Sequence, residues 1–212
     1  ETAIYLSQEA EKSGVDGLLV VTPYYNKATQ NGLYEHFKMI AESVKVPVIL
    51  YNVPGRTGCN IAPATVVRLC KDVENIVGVK EASGNVSQMM DVIAKIKLKN
   101  PDFAVLSGDD SLSLPLIAAG GDGVISVVSN IAPTEVTNLV QSALNDDMSK
   151  ARELHYKLLP FFKAAFVDGN PSSIKYAMST KGMIKPCVRL PLVEVKESAK
   201  SVIENALKEC NL

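Results

Sequence analysis

A short apolar, β-branched run followed by an amphipathic stretch recurs along the chain, and this alternation is the feature that most constrains the fold. The runs begin about 20–30 residues apart and predict five strands, at 17–22, 46–53, 76–80, 103–107 and 123–127. Every connection contains a helical pattern, so the strands are expected to be parallel. This spacing is that of an eightfold β/α barrel built in about 250 residues.

Five strands do not close a barrel, because both edges of the sheet would expose unpaired backbone groups. The chain starts at Glu1, without an initiator methionine, inside an apolar pattern typical of a helix already under way. We therefore expect an α/β protein with a TIM (β/α)8 barrel, of which this chain holds only the last five strands, three others preceding Glu1. An open, doubly wound sheet is the alternative.

The alternation stops after the fifth strand. Helices are predicted at 133–144, 148–166, 170–180 and 191–210. We take the first as the last barrel helix. Residues 1–145 are thus expected to form the barrel portion, and residues 146–212 a C-terminal helical domain.

The composition excludes several classes of function. A hydrophobic content of 47% with 21% charged residues is enough for a sizeable core. The net charge is −1 and the basic residues are scattered, so no nucleic-acid partner is expected. The four cysteines lie far apart, which argues against zinc and fits a reducing, cytoplasmic location. No apolar run reaches the ~18–20 residues that cross a bilayer, so no membrane partner is expected.

Lys80 is the residue at the strand ends that suggests covalent chemistry. Active sites of barrels lie at the carboxyl ends of the strands, where Lys80 ends the third run. Strand alternation places Gly78 below it on the same face, which would leave room for its stem. A desolvated amine in its neutral form can attack a ketone and form an imine. The alternative is that Lys80 extends its amine into solvent at the rim.

Two further residues at this end could act on a substrate. Tyr51 ends the neighbouring strand, and a phenol close to an imine carbon can transfer protons. Its alternative role is that of an amphipathic residue at the edge of the core. Arg56 lies in the tight loop 54–58 and could bind a substrate carboxylate through two hydrogen bonds, or form a salt bridge within the loop.

Other polar pairs suggest structural roles. Tyr24 and Tyr25 follow the first strand, and adjacent tyrosines on a loop more often mark an interface than a catalytic site. Asp109 and Asp110 could bind a divalent metal, but adjacent residues diverge and no histidine is near. Asp110 is therefore predicted to be a helix N-cap, and no metal site is expected.

The segments 51–58 (Tyr-Asn-Val-Pro-Gly-Arg-Thr-Gly) and 78–84 (Gly-Val-Lys-Glu-Ala-Ser-Gly) resemble the signature pair of the dihydrodipicolinate synthase and N-acetylneuraminate lyase superfamily. The resemblance runs from Glu1 to the C-terminus. The matching segments include, in order, 22–26, 107–110, 120–126 and 170–175. The superfamily's Thr-Thr-Gly-Glu motif is absent from this chain and would precede Glu1.

The resemblance assigns roles to the residues of the site. It implies that Lys80 forms a Schiff base with pyruvate and that Tyr51 and Tyr25 transfer protons. Tyr25 would do so by reaching into the site of a neighbouring subunit. Gly108 and Ile125 would contact the bound pyruvate. Because the imine itself supplies the electron sink, the resemblance implies no cofactor beyond this covalent pyruvate imine on Lys80.

The resemblance also implies partners. Arg56 favours the synthases of the superfamily, where the matching arginine holds the carboxylate of aspartate semialdehyde. Pyruvate would condense with aspartate 4-semialdehyde to give 4-hydroxy-tetrahydrodipicolinate, the first committed step of lysine biosynthesis. Tyr24 would lie at the interface of a homodimer or homotetramer, near the pocket for the feedback inhibitor lysine. The alternatives are another Schiff-base keto-acid aldolase, such as an N-acetylneuraminate lyase, and a non-catalytic barrel subunit.

Overall fold

The computed structural model describes residues 1–212, and its central element is a sheet of five strands. All neighbouring strands pair in parallel, in the order in which they occur along the chain. The strands are β1 Leu18–Val21, β2 Val48–Asn52, β3 Ile76–Glu81, β4 Ala104–Ser107 and β5 Gly123–Val124. In a doubly wound sheet the strand order reverses at a switch point, and this sheet has no such reversal. The predicted parallel α/β fold is confirmed, whereas its being part of an eight-stranded barrel stays a prediction.

Helices connect the strands and make up the rest of the chain. The helices are α1 Thr2–Lys12, α2 Gln30–Glu42, α3 Pro54–Thr57, α4 Pro63–Asp72, α5 Val86–Val92, α6 Ser113–Ala118, α7 Pro133–Leu144, α8 Met148–Ala164, α9 Ser172–Thr180 and α10 Glu197–Glu209. A π-helical turn, Ile93–Lys97, continues α5. Two 3₁₀ turns lie at Asp110–Leu112 and Val128–Asn130.

The chain divides into two compact units. The first comprises residues 1–108 and 119–124 and contains all five strands, and the second comprises residues 109–118 and 125–212. This division does not coincide with the predicted boundary at residue 145. The reason is that α6 and α7 pack with α8, through a cluster formed by Leu114, Ile117, Ala143 and Ala151. The assignment of 1–145 as the barrel portion and of 146–212 as a C-terminal helical domain stays a prediction.

The core of the first unit lies on one face of the sheet. Leu50, Val79 and Val105 are register partners on three adjacent strands, and all are fully buried. Burial of each contributes about 1.5–3 kcal/mol. Helix α2 buries one apolar face, with Leu33, Phe37, Ile40 and Ala41 at most 2% exposed. This packing fixes the sheet from behind and leaves its strand ends available for a site.

The fifth strand is shorter than the predicted 123–127 and ends at Val124. The carboxylate of Asp110 accepts hydrogen bonds from the backbone N–H groups of Val127, at 2.9 Å, and Val128, at 3.3 Å. A 3₁₀ turn therefore follows in place of a continued strand. A side chain distant in sequence has determined where this strand ends.

The last helix was expected from residue 191, but α10 begins at Glu197. The backbone groups before α10 form hydrogen bonds with other segments of the chain. The N–H of Lys196 donates to Asp168 Oδ2 at 2.9 Å, and the carbonyl of Val193 accepts from Ser172 Oγ at 3.1 Å. These contacts hold the segment before α10 outside the helix, against Asp168 and the start of α9 in the second unit.

Candidate active site at the carboxyl edge of the sheet

Lys80 and Tyr51 lie side by side at the carboxyl ends of β3 and β2. They are register partners on adjacent parallel strands, so their side chains project from the same face. The Nζ atom of Lys80 lies 4.1 Å from the centroid of the Tyr51 ring. An ammonium over a phenol face is a favourable cation–π contact, and a neutral amine there is within reach of the same substrate atoms as the phenol.

An irregularity in strand pairing creates this contact. Val48 pairs with Ile76, but the next residue of β2, Ile49, pairs with Gly78, so that Val77 is bulged out of the register. An uninterrupted register would pair Tyr51 with Val79. The bulge shifts the pairing by one residue and brings Lys80 beside Tyr51.

Gly108, directly after β4, leaves the space that the stem of Lys80 occupies. A Cβ atom at this position would lie 3.0 Å from Lys80 Cε, 3.2 Å from Lys80 Cγ and 2.6 Å from Ala82 Cβ. Gly78 has a different role from the one predicted. Its missing side chain accommodates β4, because a Cβ atom there would lie 2.8 Å from the carbonyl oxygen of Ala104.

Gly108→Ala is expected to lower the rate of any reaction at Lys80 about tenfold and to destabilise the fold by about 1–3 kcal/mol, because the added methyl displaces the lysine stem. Urea denaturation measures the stability, and activity per folded molecule measures the site. Gly55→Ala is the matched control, since a Cβ there meets nothing within 4 Å. Equal activity of the Gly108→Ala variant and the unmodified protein would contradict the crowding argument.

The phenol of Tyr51 is held in its protonated form. Burial raises the pKa of Tyr51 above its ordinary value, and the positive charge of Arg56 opposes this shift in part. At neutral pH the hydroxyl is therefore a proton donor. The guanidinium of Arg56 is thus near enough for its charge to lower the pKa of this phenol, against the larger effect of burial.

Arg56 is exposed on the short helix α3, in a loop whose shape is fixed internally. The buried Thr57 hydroxyl contacts the carbonyl oxygens of Val53 and Cys59 at 3.2 and 3.1 Å. Gly58 ends α3 with φ +68°, a left-handed conformation that glycine adopts without strain. An exposed guanidinium on a fixed loop can receive a carboxylate from solvent.

Tyr24 and Tyr25 lie on the loop after β1 and project away from the packed core. They are 71% and 94% exposed, and Tyr25 has φ +75°, which is uncommon for a residue with a side chain. Ile125 is partly exposed and follows β5, in the second unit. The structure thus brings Lys80 and Tyr51 together, and the roles predicted for Tyr24, Tyr25 and Ile125 stay predictions.

The prediction that Asp110 is a helix N-cap is wrong, because the neighbouring Asp109 has this role. Asp109 is the N-cap and accepts from Ser111 N at 2.8 Å. Asp110 is buried and accepts from Ser126 Oγ and Val127 N, and desolvation raises its pKa in spite of these hydrogen bonds.

No group of three or more histidine, cysteine, aspartate or glutamate side chains is placed to hold a metal ion. No helix is long and apolar enough to cross a membrane.

Asn52 and Glu81 are polar residues of the site region to which the sequence patterns assign no role. Both are fully buried, on the face of the sheet opposite Tyr51 and Lys80. Asn52 Nδ2 donates to both carboxylate oxygens of Glu81, at 3.2 and 3.1 Å. Their position one residue after each candidate catalytic side chain is the signal by which they could have been found.

A parallel α/β sheet that places a lysine amine over a tyrosine ring at its carboxyl edge, with an arginine acting on the same phenol, has the groups of an imine-forming enzyme. The model of the dihydrodipicolinate synthetase family matches residues 1–210. The chain belongs to this family, and the resemblance of its motifs is confirmed.

Named relatives agree with this assignment. The 4-hydroxy-tetrahydrodipicolinate synthase of Endomicrobium trichonymphae is 49% identical over 212 residues, which cover 100% of this chain and 72% of that protein. The chloride-inhibited dihydrodipicolinate synthase of Acinetobacter baumannii, in complex with pyruvate, has TM-score 0.93 and 42% identity, over 98% of this chain and 70% of that one. The lysine-bound enzyme of Cyanidioschyzon merolae has TM-score 0.93 and 38% identity, over 99% and 70%.

Proposed function

We propose that this chain condenses pyruvate with aspartate 4-semialdehyde to give 4-hydroxy-tetrahydrodipicolinate, through a Schiff base on Lys80. The observation that carries the proposal is the amine of Lys80, 4.1 Å from the centre of the Tyr51 ring at the carboxyl edge of the sheet. Membership of the dihydrodipicolinate synthetase family supports the same reaction. So does the 49% identity to a relative named as the synthase.

The reaction follows from the chemistry of these groups. The neutral amine of Lys80 adds to the ketone carbon of pyruvate, and the carbinolamine loses its hydroxyl as water after protonation by Tyr51. Loss of a methyl proton from the imine gives an enamine, whose carbon forms a bond to the aldehyde carbon of the semialdehyde. The amino group of the acceptor then attacks the imine carbon, closes the ring and releases the amine of Lys80.

Other residues support the two substrates. We assign Arg56 to the carboxylate of the semialdehyde, because its guanidinium is exposed on the short helix that follows the strand of Tyr51. Gly108 and Ile125 are assigned to the bound pyruvate. The stem of Lys80 passes within contact distance of Gly108, which supports the first of these. The imine serves as the electron sink, so the proposal includes no metal or organic cofactor.

The proposal includes a homodimer or homotetramer. Tyr25 is 94% exposed and would reach the site of a partner copy, while Tyr24, 71% exposed, would lie in the interface. Lysine is the proposed feedback inhibitor, supported by the relative that was crystallised with lysine bound. The sequential parallel order of the strands supports the further proposal that the sheet is part of a TIM barrel. The cytoplasmic location stays a prediction.

Trapping with borohydride tests the Schiff base. The protein is incubated with pyruvate, reduced, weighed intact by mass spectrometry and mapped by peptide. We expect one reduced pyruvyl adduct per chain, located on Lys80. An adduct on another lysine, or none at all, would contradict the assignment of the nucleophile.

The acceptor is tested separately. We expect turnover with pyruvate and aspartate 4-semialdehyde, and none with N-acetylneuraminate. Turnover of the sugar acid alone would assign the chain to the lyase branch. An adduct on Lys80 without turnover of either substrate would point to a different acceptor.

A further inference from the structure

We propose that a polar cluster behind the site, centred on the buried pair Asn52 and Glu81, positions its reacting groups, and that Glu81 is the central positioning residue. The cluster, called here the Glu81 cluster, consists of Asn52, Asn60, Glu81 and Gln88. The inference rests on the proposed function, since it concerns the support of the same Lys80 and Tyr51.

The cluster lies directly behind the reacting side chains. Tyr51 and Lys80 are register partners, and the next pair of partners along the same strands is Asn52 and Glu81. Consecutive residues of a strand face opposite sides, so each candidate catalytic residue is followed by a buried anchor on the other face. Both anchors are 0% exposed. A change in their spacing therefore changes the spacing of Tyr51 and Lys80.

Glu81 connects three segments of backbone. Its carboxylate accepts from Asn52 Nδ2 on β2, from Gln88 Nε2 on α5 at 3.0 Å, and from Ser83 N after β3 at 2.7 Å. Hydrogen bonds to a charged acceptor are stronger than those between neutral groups. The carboxyl ends of β2 and β3 and the start of α5 are consequently held to one carboxylate.

Asn52 extends the cluster to the loop that carries Arg56. Its Oδ1 accepts from the N–H of Ile61 at 3.0 Å, and its Nδ2 donates to Asn60 Oδ1 at 2.8 Å. Asn52 precedes the loop 53–60, and Ile61 follows it, so these bonds fix both ends of the loop. One set of hydrogen bonds thus holds the two strands that carry Tyr51 and Lys80 and the loop that carries Arg56.

The chemistry gives such a structure a function beyond stability. The amine and the phenol must act on the same carbon atom, and a misplacement of about 1 Å can cost about a hundredfold in rate. The bulge at Val77 makes the register of β2 and β3 irregular. The pairing of Asn52 with Glu81 fixes this register at the end where the chemistry takes place.

Glu81→Gln is the first test. It preserves the shape but places an NH2 donor among groups that already donate. We expect the rate constant of borohydride-trapped adduct formation at saturating pyruvate, and kcat, to fall about tenfold. KM for pyruvate should change by less than about twofold. Glu74→Gln, an exposed substitution before the same strand, is the matched control.

A purely structural role predicts a different pattern. If Glu81→Gln lowers the melting temperature but leaves the trapping rate and kcat per folded molecule unchanged, the positioning role is overturned. Should this variant not fold, Gln88→Ala decides, with its exposed neighbour Ser87→Ala as control. We expect Gln88→Ala to slow trapping about threefold. An unchanged trapping rate in Gln88→Ala would overturn the inference.

One readout does not depend on enzymatic activity. Acetic anhydride acetylates neutral amines, and peptide mass spectrometry gives its rate at Lys80 as a function of pH. We expect this profile to differ between the unmodified protein and Glu81→Gln, and to be unchanged in Glu74→Gln. If the unmodified protein traps no pyruvate, the proposed function fails. A changed Lys80 profile then still supports the positioning role, and identical profiles overturn it.

Discussion

Lys80→Arg is expected to abolish the trapped pyruvyl adduct and to lower turnover by at least about 10³-fold. Arginine keeps a positive charge on a long stem, so the cation–π contact with the Tyr51 ring can persist. The guanidinium stays protonated at any accessible pH and forms no imine with a ketone. The variant therefore separates the nucleophile from the charge. Intact mass after borohydride reduction and a coupled assay with aspartate 4-semialdehyde measure the two effects.

The control for this variant is Lys99→Arg, an exposed lysine after the π-helical turn. It should form the adduct and turn over at the rate of the unmodified protein. An adduct that survives in Lys80→Arg would show that another lysine is the nucleophile. If circular dichroism shows that Lys80→Arg does not fold, Lys80→Met replaces it as the variant that is tested for the adduct.

Periodicity in the sequence predicted most of the elements. Helix α7 begins and ends at the predicted residues, 133 and 144, because Pro133 takes the first helical turn and the apolar spacing continues to Leu144. Asn85 caps α5 in the same local way, since its Oδ1 accepts from Gln88 N at 3.1 Å, three residues along the chain. These features depend on local contacts, which a sequence pattern contains.

The features that the sequence did not reveal depend on contacts between distant segments. The bulge at Val77 aligns Lys80 with Tyr51, and Gly78 can mark a bulge or a close approach of another strand, so it does not by itself show where the register shifts. The space left by Gly108 for the lysine stem exists only because β4 lies beside β3. Register and close approach are properties of pairs of strands, whereas alternation within a strand reports only the face of each residue.

Tyr51 and Lys80 could each be proposed from their positions at strand ends, whereas the burial and pairing of Asn52 and Glu81 behind them could not. From the sequence alone Glu81 would be predicted to be exposed, because glutamate is almost never fully buried unless it is paired. The structure supplies the donors that make its burial acceptable: Asn52, Gln88 and the backbone of Ser83. The support of a site is in this way less visible in a sequence than the site itself.

Tyr51→Phe is expected to lower kcat by about 10²–10⁴-fold while adduct formation on Lys80 still reaches completion, more slowly. Phenylalanine keeps the ring beneath the amine and removes only the group that donates and accepts protons. The adduct and the turnover are thus separated, which Lys80→Arg does not do. Borohydride added at successive times measures the rate of adduct formation, and a steady-state assay measures turnover. Tyr156→Phe, at an exposed tyrosine, is the control.

The pH dependence of stability gives an independent check on Tyr51. Because burial raises the pKa of Tyr51 above 10.0, the folded state prefers the neutral phenol. The unfolded chain ionises first, so this contribution to stability is fully present below pH 10 and is lost as the pH rises through the folded-state pKa. The difference in unfolding free energy between the unmodified protein and Tyr51→Phe should therefore be constant below pH 10. Above pH 10 the unmodified protein should lose stability relative to Tyr51→Phe. A difference that changes between pH 7 and 9 would mean that Tyr51 ionises in the folded protein below pH 10, which would contradict a pKa raised by burial.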